Sequence, residues 1–436
     1  MPSSRPAGAL LRVLGIGFGL AVTVGNTVGS GILRTPGEVA ARLPRTDLFL
    51  AAWLAGGLYA LLGALSVSEL GAMMPRSGGY YVFARRAFGP FASFLVGWTD
   101  WLSQWGTIAA TAIAVGEFTG QLVPALAQRS GAVAGTIVVA LALLQARGVR
   151  WGSGAQNLTS ALKGAGFVLL VVVLFWARPA PGQPPPALSG GWGLVLALQA
   201  IIYTYDGWYG IIYFGEEVEN PARDVPRSMI GGVVLVTALY LLVNVALVRV
   251  LPPARLAGEK LAVGAALTEV LGARGGDVLR VLAIVSLVSA MNAYLLMASR
   301  IPLALARDGL LPAAFTRVNA GGTPWVGHLV STVGALLFVL TGSFQRVLAV
   351  MAFFFVANYV VAFLAVFVLR RREPEAPRPY RARGYPITTG LALVISLAFL
   401  AGAIAGDTRN SVYALLVLAA SFPVYRLGRR FGWSPP

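Results

Sequence analysis

The sequence predicts an all-α membrane protein of about twelve transmembrane helices, and three observations lead to this fold class. Of the 436 residues, 57% are hydrophobic and only 12% are charged, and the mean hydropathy is +0.74. Soluble domains are only about half apolar. The apolar residues gather into runs that reach or approach the ~20 residues of a membrane-spanning helix. The first and sixth runs are interrupted near their middles by glycines and polar residues.

Twelve apolar runs follow one another with short connections, so no separate soluble domain is expected. The first run lacks a small-residue cleavage site and exceeds a signal-peptide core in length, which predicts a retained helix. The proline-rich stretch "ARPAPGQPPPALSGG" is typical of an extended extracellular connector between the fifth and sixth helices. The runs are 11–41, 48–74, 90–122, 131–149, 157–176, 192–219, 227–250, 275–306, 325–342, 344–369, 386–405 and 410–427.

The formal net charge of +17 has a topological explanation. Nucleic-acid binding is not expected, because the basic residues are not joined to a soluble domain that would present them. With the N-terminus inside, most arginines fall in the termini and in alternate connections on the cytoplasmic side, which fits the positive-inside rule. We therefore expect a multi-pass protein of the cell inner (plasma) membrane, in contact with the lipid bilayer, with both termini cytoplasmic.

The chain has no cysteine and one histidine. Disulfides, thiol nucleophiles and thiolate metal sites are excluded. The single histidine, His328, stands near a helix start and cannot form a zinc cluster, so an interfacial side chain is expected. The sequence predicts no metal and no cofactor.

The two interrupted runs occupy matching positions if helices one to five and six to ten are copies of one unit. Because five is odd, the second copy is inserted upside down, and such a pair of interruptions indicates an inverted-repeat transporter. The predicted units are residues 11–176 and 192–370, followed by helices eleven and twelve at 386–430. A single glycine would more often serve close helix packing, but two clusters in register favour interruption. The interrupting residues are Val28, Gly29, Ser30 and Gly31 in the first helix, and Asp206, Gly207 and Gly210 in the sixth.

A broken helix frees backbone N–H groups at one end and C=O groups at the other, where the helix dipole adds positive and negative partial charge. In hydrocarbon such groups persist only beside a cavity or a ligand. Gly29 and Gly31 allow close backbone approach, and Ser30 adds a hydroxyl donor. Carbonyls around 203–205 offer a site for an ammonium group. The combination predicts recognition of an α-amino acid.

Side-chain selectivity would then come from residues beyond the main chain. In the sixth helix these are Tyr203, Trp208 and Tyr209. Aromatic residues elsewhere are more often packing or interfacial residues than substrate contacts. The further candidates are Trp101, Trp105, Phe354 and Tyr359.

Three motifs resemble the amino acid–polyamine–organocation superfamily, and most closely its L-type amino acid transporter branch with its bacterial relatives. They are "VGSGILRTPG" in the first helix, "PRSGGYYVFARRAFGP" between the second and third, and "YTYDGWYGIIYFGEEVENPARDVPRSM" through the sixth. The resemblance implies a five-plus-five inverted-repeat fold with discontinuous helices 1 and 6. It also implies alternating access and sodium-independent amino acid transport, commonly by exchange.

The same resemblance assigns roles to residues of the two breaks. It places the substrate carboxylate on Gly29, Ser30 and Gly31, and the amino group on the carbonyls of Thr27 and Tyr203. Tyr203 would cover the substrate from outside. Many eukaryotic members have glycine and asparagine where this chain has Asp206 and Tyr209, which puts side-chain specificity in doubt. Those members bind an accessory glycoprotein through a cysteine, and this chain has none.

Lys163 stands within the fifth helix, where a buried cation costs at least ~2.5–3.5 kcal/mol. One interpretation is that its side chain extends to the cytoplasmic interface. The resemblance implies the other, since sodium-independent members carry a lysine that takes the place of a sodium ion and reaches the unwound part of the first helix. The candidate partners in the eighth helix are Ser286, Ser289 and Asn292.

Several acidic residues leave two interpretations open. Asp206 either caps the inner half of the sixth helix or acts at the substrate amine, with or without a proton. Glu69 is expected to hold the "PRSGG" loop. Glu216, Glu217 and Glu219 either form an inner gate with nearby arginines or are solvated charges at a helix end.

The function predicted is sodium-independent exchange of neutral L-amino acids, with proton-coupled amino acid symport as the alternative. A hypothesis of another class is an intramembrane hydrolase with Ser30 as nucleophile. His328 would be its base, but this histidine lies at the start of the ninth helix rather than at mid-membrane.

Overall fold

The computed structural model describes residues 9–179, 191–341, 344–406 and 408–430, and within these ranges all regular elements are helices. Eight of the helices are long and apolar enough to cross a membrane, and a bent helix pair at the N-terminal end makes nine. Three further helices lie between them in the chain, Pro90–Leu122, Gly191–Thr204 and Trp325–Thr341. The prediction of an all-α membrane protein with about twelve spans is confirmed.

The first five spans follow the predicted apolar runs closely. The first consists of two helices, Ile16–Thr27 and Gly31–Arg42, bent by 45° at their junction. The second to fifth spans are Thr46–Met73, Pro90–Leu122, Ser130–Ala146 and Val149–Trp176. A short helix, Tyr80–Phe88, joins the second span to the third, and a 3-10 helix, Pro124–Arg129, precedes the fourth. The proline-rich connector lies almost entirely outside the described residues.

The sixth to tenth spans begin with a second interrupted segment. Gly191–Thr204 is followed by turns and one 3-10 helix, Gly210–Tyr213. The seventh to tenth spans are Pro221–Val250, Arg274–Ala298 with its continuation Arg300–Arg307, Trp325–Thr341 and Phe344–Arg372. Short helices, Pro253–Leu256 and Ala262–Leu271, lie between the seventh and eighth spans, and a 3-10 helix, Ala313–Thr316, precedes the ninth. The last two spans are Ile387–Gly406 and Thr408–Arg430.

The two broken segments lie at the centre of the bundle. The first span packs against the fifth, seventh and eighth, and the third packs closely against the eighth and tenth. Because these neighbours surround the breaks, the sequence from Val22 to Ile32 and from Thr204 to Phe214 is largely buried. The packing therefore brings both irregular segments together, away from lipid, where non-helical backbone is tolerated.

Candidate functional site

The break in the first span leaves backbone donors without partners. The first helix of the span ends at Thr27 and the second begins at Gly31, with residues 28–30 between them. Among the described residues, none accepts a hydrogen bond from the N–H of Gly29, Ser30 or Gly31. The start of a helix carries partial positive charge, so these groups form a site suited to an anion.

The carbonyls of the same break are bound by Lys163. Its Nζ donates to the carbonyl oxygens of Gly25 at 2.7 Å and Val28 at 2.5 Å. The lysine side chain is fully buried. The interpretation in which Lys163 reaches the water interface is therefore wrong, because its stem turns toward the first span instead. Lys163 therefore holds the carbonyl end of the helix Ile16–Thr27.

The eighth span contributes one of its three candidate residues to this contact. Ser286 Oγ donates to the carbonyl of Val28 at 3.0 Å, so this carbonyl serves both Ser286 and Lys163. Ser289 instead lies 3.2 Å from the hydroxyl of Ser160. Asn292 donates to Gln156 at 2.8 Å. Ser289 and Asn292 belong to a separate polar cluster between the fifth and eighth spans, and no contact joins them to Lys163 in the described structure.

The sixth span departs from the predicted arrangement after its break. Beyond Thr204 the chain forms turns and the single 3-10 helix Gly210–Tyr213, rather than an inner half-helix. Gly207 has a φ of +110°, and a Cβ added to it would lie 2.8 Å from the backbone carbon of Asn26. Only glycine suits this close approach of the two breaks. The expectation that Asp206 caps an inner helix is wrong, because no such helix is present.

Asp206 is bonded by tyrosines. The hydroxyl of Tyr359 donates to one of its carboxylate oxygens, and that of Tyr209 donates to the other at 3.4 Å. Among the described residues, no arginine or lysine forms an ion pair with Asp206. The carboxylate is therefore held by hydroxyl donors without a cationic partner, and it faces the cavity described below.

Two side chains, Asn26 and Tyr240, connect the two breaks directly. Asn26 Nδ2 donates to the carbonyl of Gly207 at 3.0 Å. The hydroxyl of Tyr240 lies 2.9 Å from the carbonyl oxygen of Thr27 and 3.1 Å from that of Thr204. A hydroxyl carries one proton, so these two carbonyls share one donor. The carbonyl ends of the breaks are thus largely satisfied by the protein, whereas the N–H groups of the first break have no acceptor among the described residues.

A cavity of about 90 Å³ lies between the breaks and the third and eighth spans. Several waters would fit in this volume. Six predicted site residues line it, Thr27, Gly29, Ser30, Gly31, Tyr203 and Asp206. The remaining four from the two breaks, Val28, Gly207, Trp208 and Tyr209, are absent from its wall.

The cavity wall also contains residues that sequence reasoning missed. None of the aromatic candidates outside the sixth span lines it, and Phe355 is present rather than its neighbour Phe354. The third span contributes Thr107 and Thr111, together with the small residues Ala110 and Ala114. Residues three, four and seven apart share one helix face. That spacing of small residues in the third span was the signal that could have identified this wall. The other missed residues are Asn26, Leu287, Ala290 and Tyr294, whereas Thr204 belongs to the predicted carbonyl group of residues 203–205.

The arginine-rich end of the molecule is closed by ion pairs below the breaks. Arg300 binds Glu217 with two hydrogen bonds of 2.7 and 2.9 Å, and both side chains are buried. Arg307 binds Glu216 at 2.7 Å. The backbone N–H groups of Val13 and Leu14 donate to the carbonyl of Glu217. Glu216 and Glu217 therefore form part of a closed inner layer and are not simply solvated helix-end charges.

The "PRSGG" loop belongs to the same layer. Gly78 and Gly79 have positive φ, and a Cβ on Gly79 would lie 2.3 Å from the ring of Tyr213. The N–H of Ser77 donates to a carboxylate oxygen of Glu216 at 3.2 Å. The expectation that Glu69 holds this loop is wrong, since its carboxylate binds Arg370, Arg378 and the N–H of Ala382.

His328 does not lie at an interface, contrary to the prediction. Its side chain is buried, and its Nε2 donates to the carbonyl of Ala142 at 2.9 Å. The histidine therefore joins the ninth span to the fourth, which removes it as a base for Ser30. Among the described residues, no group of three histidine or acidic side chains is placed to hold a metal ion.

Comparison with known proteins agrees with this geometry. A model of the family described as amino acid permease matches residues 13–422. The serine/threonine exchanger SteT of Bacillus subtilis (strain 168) is 30% identical over 430 residues, which cover 95% of this chain and 96% of that protein. The branched-chain amino acid permease BcaP of the same organism is 29% identical over 403 residues, covering 86% and 84%. The large neutral amino acids transporter small subunit 2 of Homo sapiens is 28% identical, covering 96% and 81%.

These relatives are transporters and permeases, so the hydrolase hypothesis is wrong. The matched region includes both broken spans and the ion pairs at the arginine-rich end. The names of the relatives describe an exchanger, a transporter and a permease of amino acids. The chain belongs to the amino acid permease family, within the amino acid–polyamine–organocation superfamily that its motifs resemble.

Proposed function

We propose that the protein is a sodium-independent exchanger of neutral L-amino acids in the plasma membrane. The observation that carries the proposal is the cavity lined by Gly29, Ser30 and Gly31, whose N–H groups have no acceptor among the described residues. These three residues are half-buried, and donors that stay without acceptors when such a site closes around a substrate cost about 1–3 kcal/mol each. An α-carboxylate supplies the missing acceptors at a helix start, where the dipole favours negative charge.

We assign the substrate amino group to Asp206, Thr27 and Tyr203, which also line the cavity. The carbonyls of Thr27 and Tyr203 already accept hydrogen bonds from Tyr240 and from the N–H of Asp206, at 2.9 and 3.2 Å. A carbonyl has two lone pairs, so each can accept a second donor, and the carboxylate of Asp206 supplies the charge.

The cavity wall favours a small neutral side chain. Beyond the groups assigned to the backbone of the substrate, the wall consists of threonine hydroxyls on the third span and apolar or aromatic surface from Leu287, Tyr294 and Phe355. No arginine, lysine or glutamate lines it. A charged substrate side chain would lack a partner in this volume, which costs several kcal/mol.

Sodium independence is supported by the position of Lys163. Its amine hydrogen-bonds to the carbonyl oxygens of Gly25 and Val28. These two oxygens and the nearby hydroxyl of Ser286 are ligands of the kind that a sodium ion would use. A cation already covalently attached at this place repels a second one. Transport would then require no sodium gradient.

Exchange by alternating access is supported by the closed inner layer and by the relatives. The Arg300–Glu217 pair and its neighbours close the arginine-rich end while the cavity lies on the other side of them. We assign this arrangement to an outward-facing state, with both termini cytoplasmic. The units 11–176 and 192–370 would move against each other, with 386–430 at the periphery. One relative is itself named a serine/threonine exchanger. Without cysteine, the chain acts without a disulfide-linked accessory subunit.

A second candidate is proton-coupled symport, and the environment of Asp206 favours it. A buried carboxylate with hydroxyl donors and no cationic partner is suited to carry a proton together with a substrate.

Proteoliposomes containing the purified protein separate the two candidates. Exchange predicts uptake of labelled L-serine or L-threonine only when unlabelled amino acid is trapped inside, with equal rates in sodium and choline media. Uptake into empty vesicles driven by an imposed pH gradient would instead establish symport. Protein-free liposomes and vesicles preloaded with the D-enantiomer serve as controls. Uptake that requires sodium would contradict the role of Lys163.

A further inference from the structure

A basic groove lies at the arginine-rich end of the molecule, between the second and seventh spans and the segment that precedes the eleventh. Its volume is about 460 Å³. Three guanidinium groups and one phenol line it, from Arg223, Arg227, Arg383 and Tyr380. We call this site the arginine groove. It is separate from the substrate cavity, with which it shares no lining residue.

The donors of the arginine groove are not neutralised by the protein. In the described structure, the guanidinium groups of Arg227 and Arg383 have no ion-pair partner. The hydroxyl of Tyr380 is buried beside Arg383, and no side chain of the described residues hydrogen-bonds to it. Arg223 binds Asp224 at 2.8 Å, but its side chain is 55% exposed. The acidic side chain nearest in the second span, Glu69, is already bound by two other arginines.

Apolar surface continues from the groove toward the middle of the membrane. Leu65 and Ile230 form part of its wall, and Gly231 leaves a furrow beside them. One turn further along the seventh span, Val234 is 54% exposed. Along the second span, Leu58 is 52% exposed. Residues at these spacings lie on one helix face, so an uncovered apolar track extends from the arginines along two neighbouring spans.

We propose that the arginine groove binds one anionic phospholipid of the cytoplasmic leaflet. The phosphodiester accepts hydrogen bonds from Arg227, Arg383 and Tyr380, and an acyl chain lies along the track of Leu65 and Ile230. Basic pockets between spans on the cytoplasmic side are suited to anionic headgroups, and planar guanidinium groups match phosphate oxygens. The start of the seventh span at Pro221 adds favourable partial charge. A free phosphate would leave the apolar track uncovered, so a lipid is the better fit.

The bound lipid would connect the seventh span to the segment before the eleventh. That segment is already fixed to the second span, because Arg378 and the N–H of Ala382 bind Glu69. We therefore expect the lipid to raise the thermal stability of the protein, since a ligand that binds only the native state does so by mass action.

Native mass spectrometry and thermal-shift measurements on the full-length protein in neutral detergent test the site. Phosphatidylglycerol is titrated against phosphatidylcholine of the same acyl composition, and inorganic phosphate is tested separately. The test variant is Arg227→Gln with Arg383→Gln, and Arg150→Gln, an exposed arginine at the same end of the fifth span, is the matched control.

We expect wild-type protein and the Arg150→Gln control to retain phosphatidylglycerol in preference to phosphatidylcholine. The double variant should bind it about thirtyfold more weakly, because each arginine near an anionic lipid contributes a factor of about five. An L-serine thermal shift equal to that of wild type would show that the double variant is folded. Equal phosphatidylglycerol binding by the double variant would overturn the proposal. So would stabilisation by inorganic phosphate as large as that by the lipid.

Discussion

Replacement of Lys163 by methionine tests how the first break is held. Methionine keeps an unbranched side chain of similar length and removes the amine. The variant loses both hydrogen bonds from Lys163, to the carbonyls of Gly25 at 2.7 Å and Val28 at 2.5 Å. Val28 keeps its bond from Ser286 at 3.0 Å, whereas the carbonyl of Gly25 loses its side-chain donor. The substitution therefore acts on one end of the unwound turn while leaving the other partner in place.

The expected loss of stability in the unwound turn is the difference between two opposing free-energy contributions. Hydrogen bonds from a charged donor contribute about 1.5–3 kcal/mol each, so two contribute about 3–6 kcal/mol. Removing a buried cation restores about 2.5–3.5 kcal/mol of its burial cost. The difference leaves the turn destabilised by about 0.5–2.5 kcal/mol, which corresponds to a factor of roughly 2–70 in an equilibrium constant. Since the free N–H groups of Gly29 to Gly31 follow directly, we expect substrate affinity and exchange rate to fall by this factor.

Two measurements check the Lys163→Met variant. Counterflow of L-serine in proteoliposomes gives the exchange rate, and a thermal-shift titration gives the affinity. Lys260→Met is the matched control, because Lys260 is the other lysine of the chain and is exposed in a loop. Exchange should stay independent of sodium in both variants. If Lys163→Met exchanges within twofold of wild type, the lysine merely fills space and the reasoning fails.

Three further predictions concern the cavity and the inner layer. A Cβ on Gly29 meets no atom within 4 Å, so Gly29→Val should fold yet weaken substrate binding roughly 5- to 150-fold by filling the cavity. The control is Gly164→Val, whose Cβ also meets no atom but which does not line the cavity. Equal substrate affinities of the two variants would contradict the placement of the substrate beside Gly29. Glu217→Gln leaves a buried arginine without its countercharge and should cost about 3–5 kcal/mol in unfolding free energy, against at most about 1 kcal/mol for the partly exposed Glu216→Gln; equal losses in denaturant titrations would refute the buried pair. Asp206→Asn should raise the Kd of L-serine about 10- to 100-fold by removing the charge opposite the amino group; isothermal titration showing an unchanged Kd would exclude that contact.

The position of both breaks could be predicted from sequence because the bilayer restricts backbone so strongly. A cluster of glycines and polar residues inside an apolar run indicates either close helix packing or an interrupted helix. Two such clusters at matching positions, in the first and sixth runs, favour interruption. The shape of the chain after the sixth break could not be predicted. Residues 205–219 form turns because distant partners hold them, including Val13 and Leu14 at the N-terminal end and Ser77 in the "PRSGG" loop. Local sequence contains no information about such partners.

The cavity wall was predicted less well, since it depends on how each helix is rotated. Trp208 and Tyr209 were favoured for their size and their place in a motif, yet Trp208 packs beside Gly63, where a Cβ would lie 2.8 Å from its ring. Small residues such as Thr107 were passed over, although their size is what leaves space for a ligand. His328 was misplaced for a related reason, because its partner, the carbonyl of Ala142, belongs to a span far away in sequence.

The two ends of the breaks differ in a way that bears on binding. The carbonyls of Gly25, Val28, Thr27 and Thr204 already accept hydrogen bonds from protein side chains, whereas the N–H groups of Gly29 to Gly31 have no acceptor in the described structure. A ligand gains most where donors would otherwise be left unpaired. The carboxylate of the substrate should therefore contribute more to affinity than its amino group, whose carbonyl partners are shared with Tyr240 and with the N–H of Asp206. At the first break, the protein thus satisfies the carbonyl groups and leaves the N–H groups for the substrate to complete.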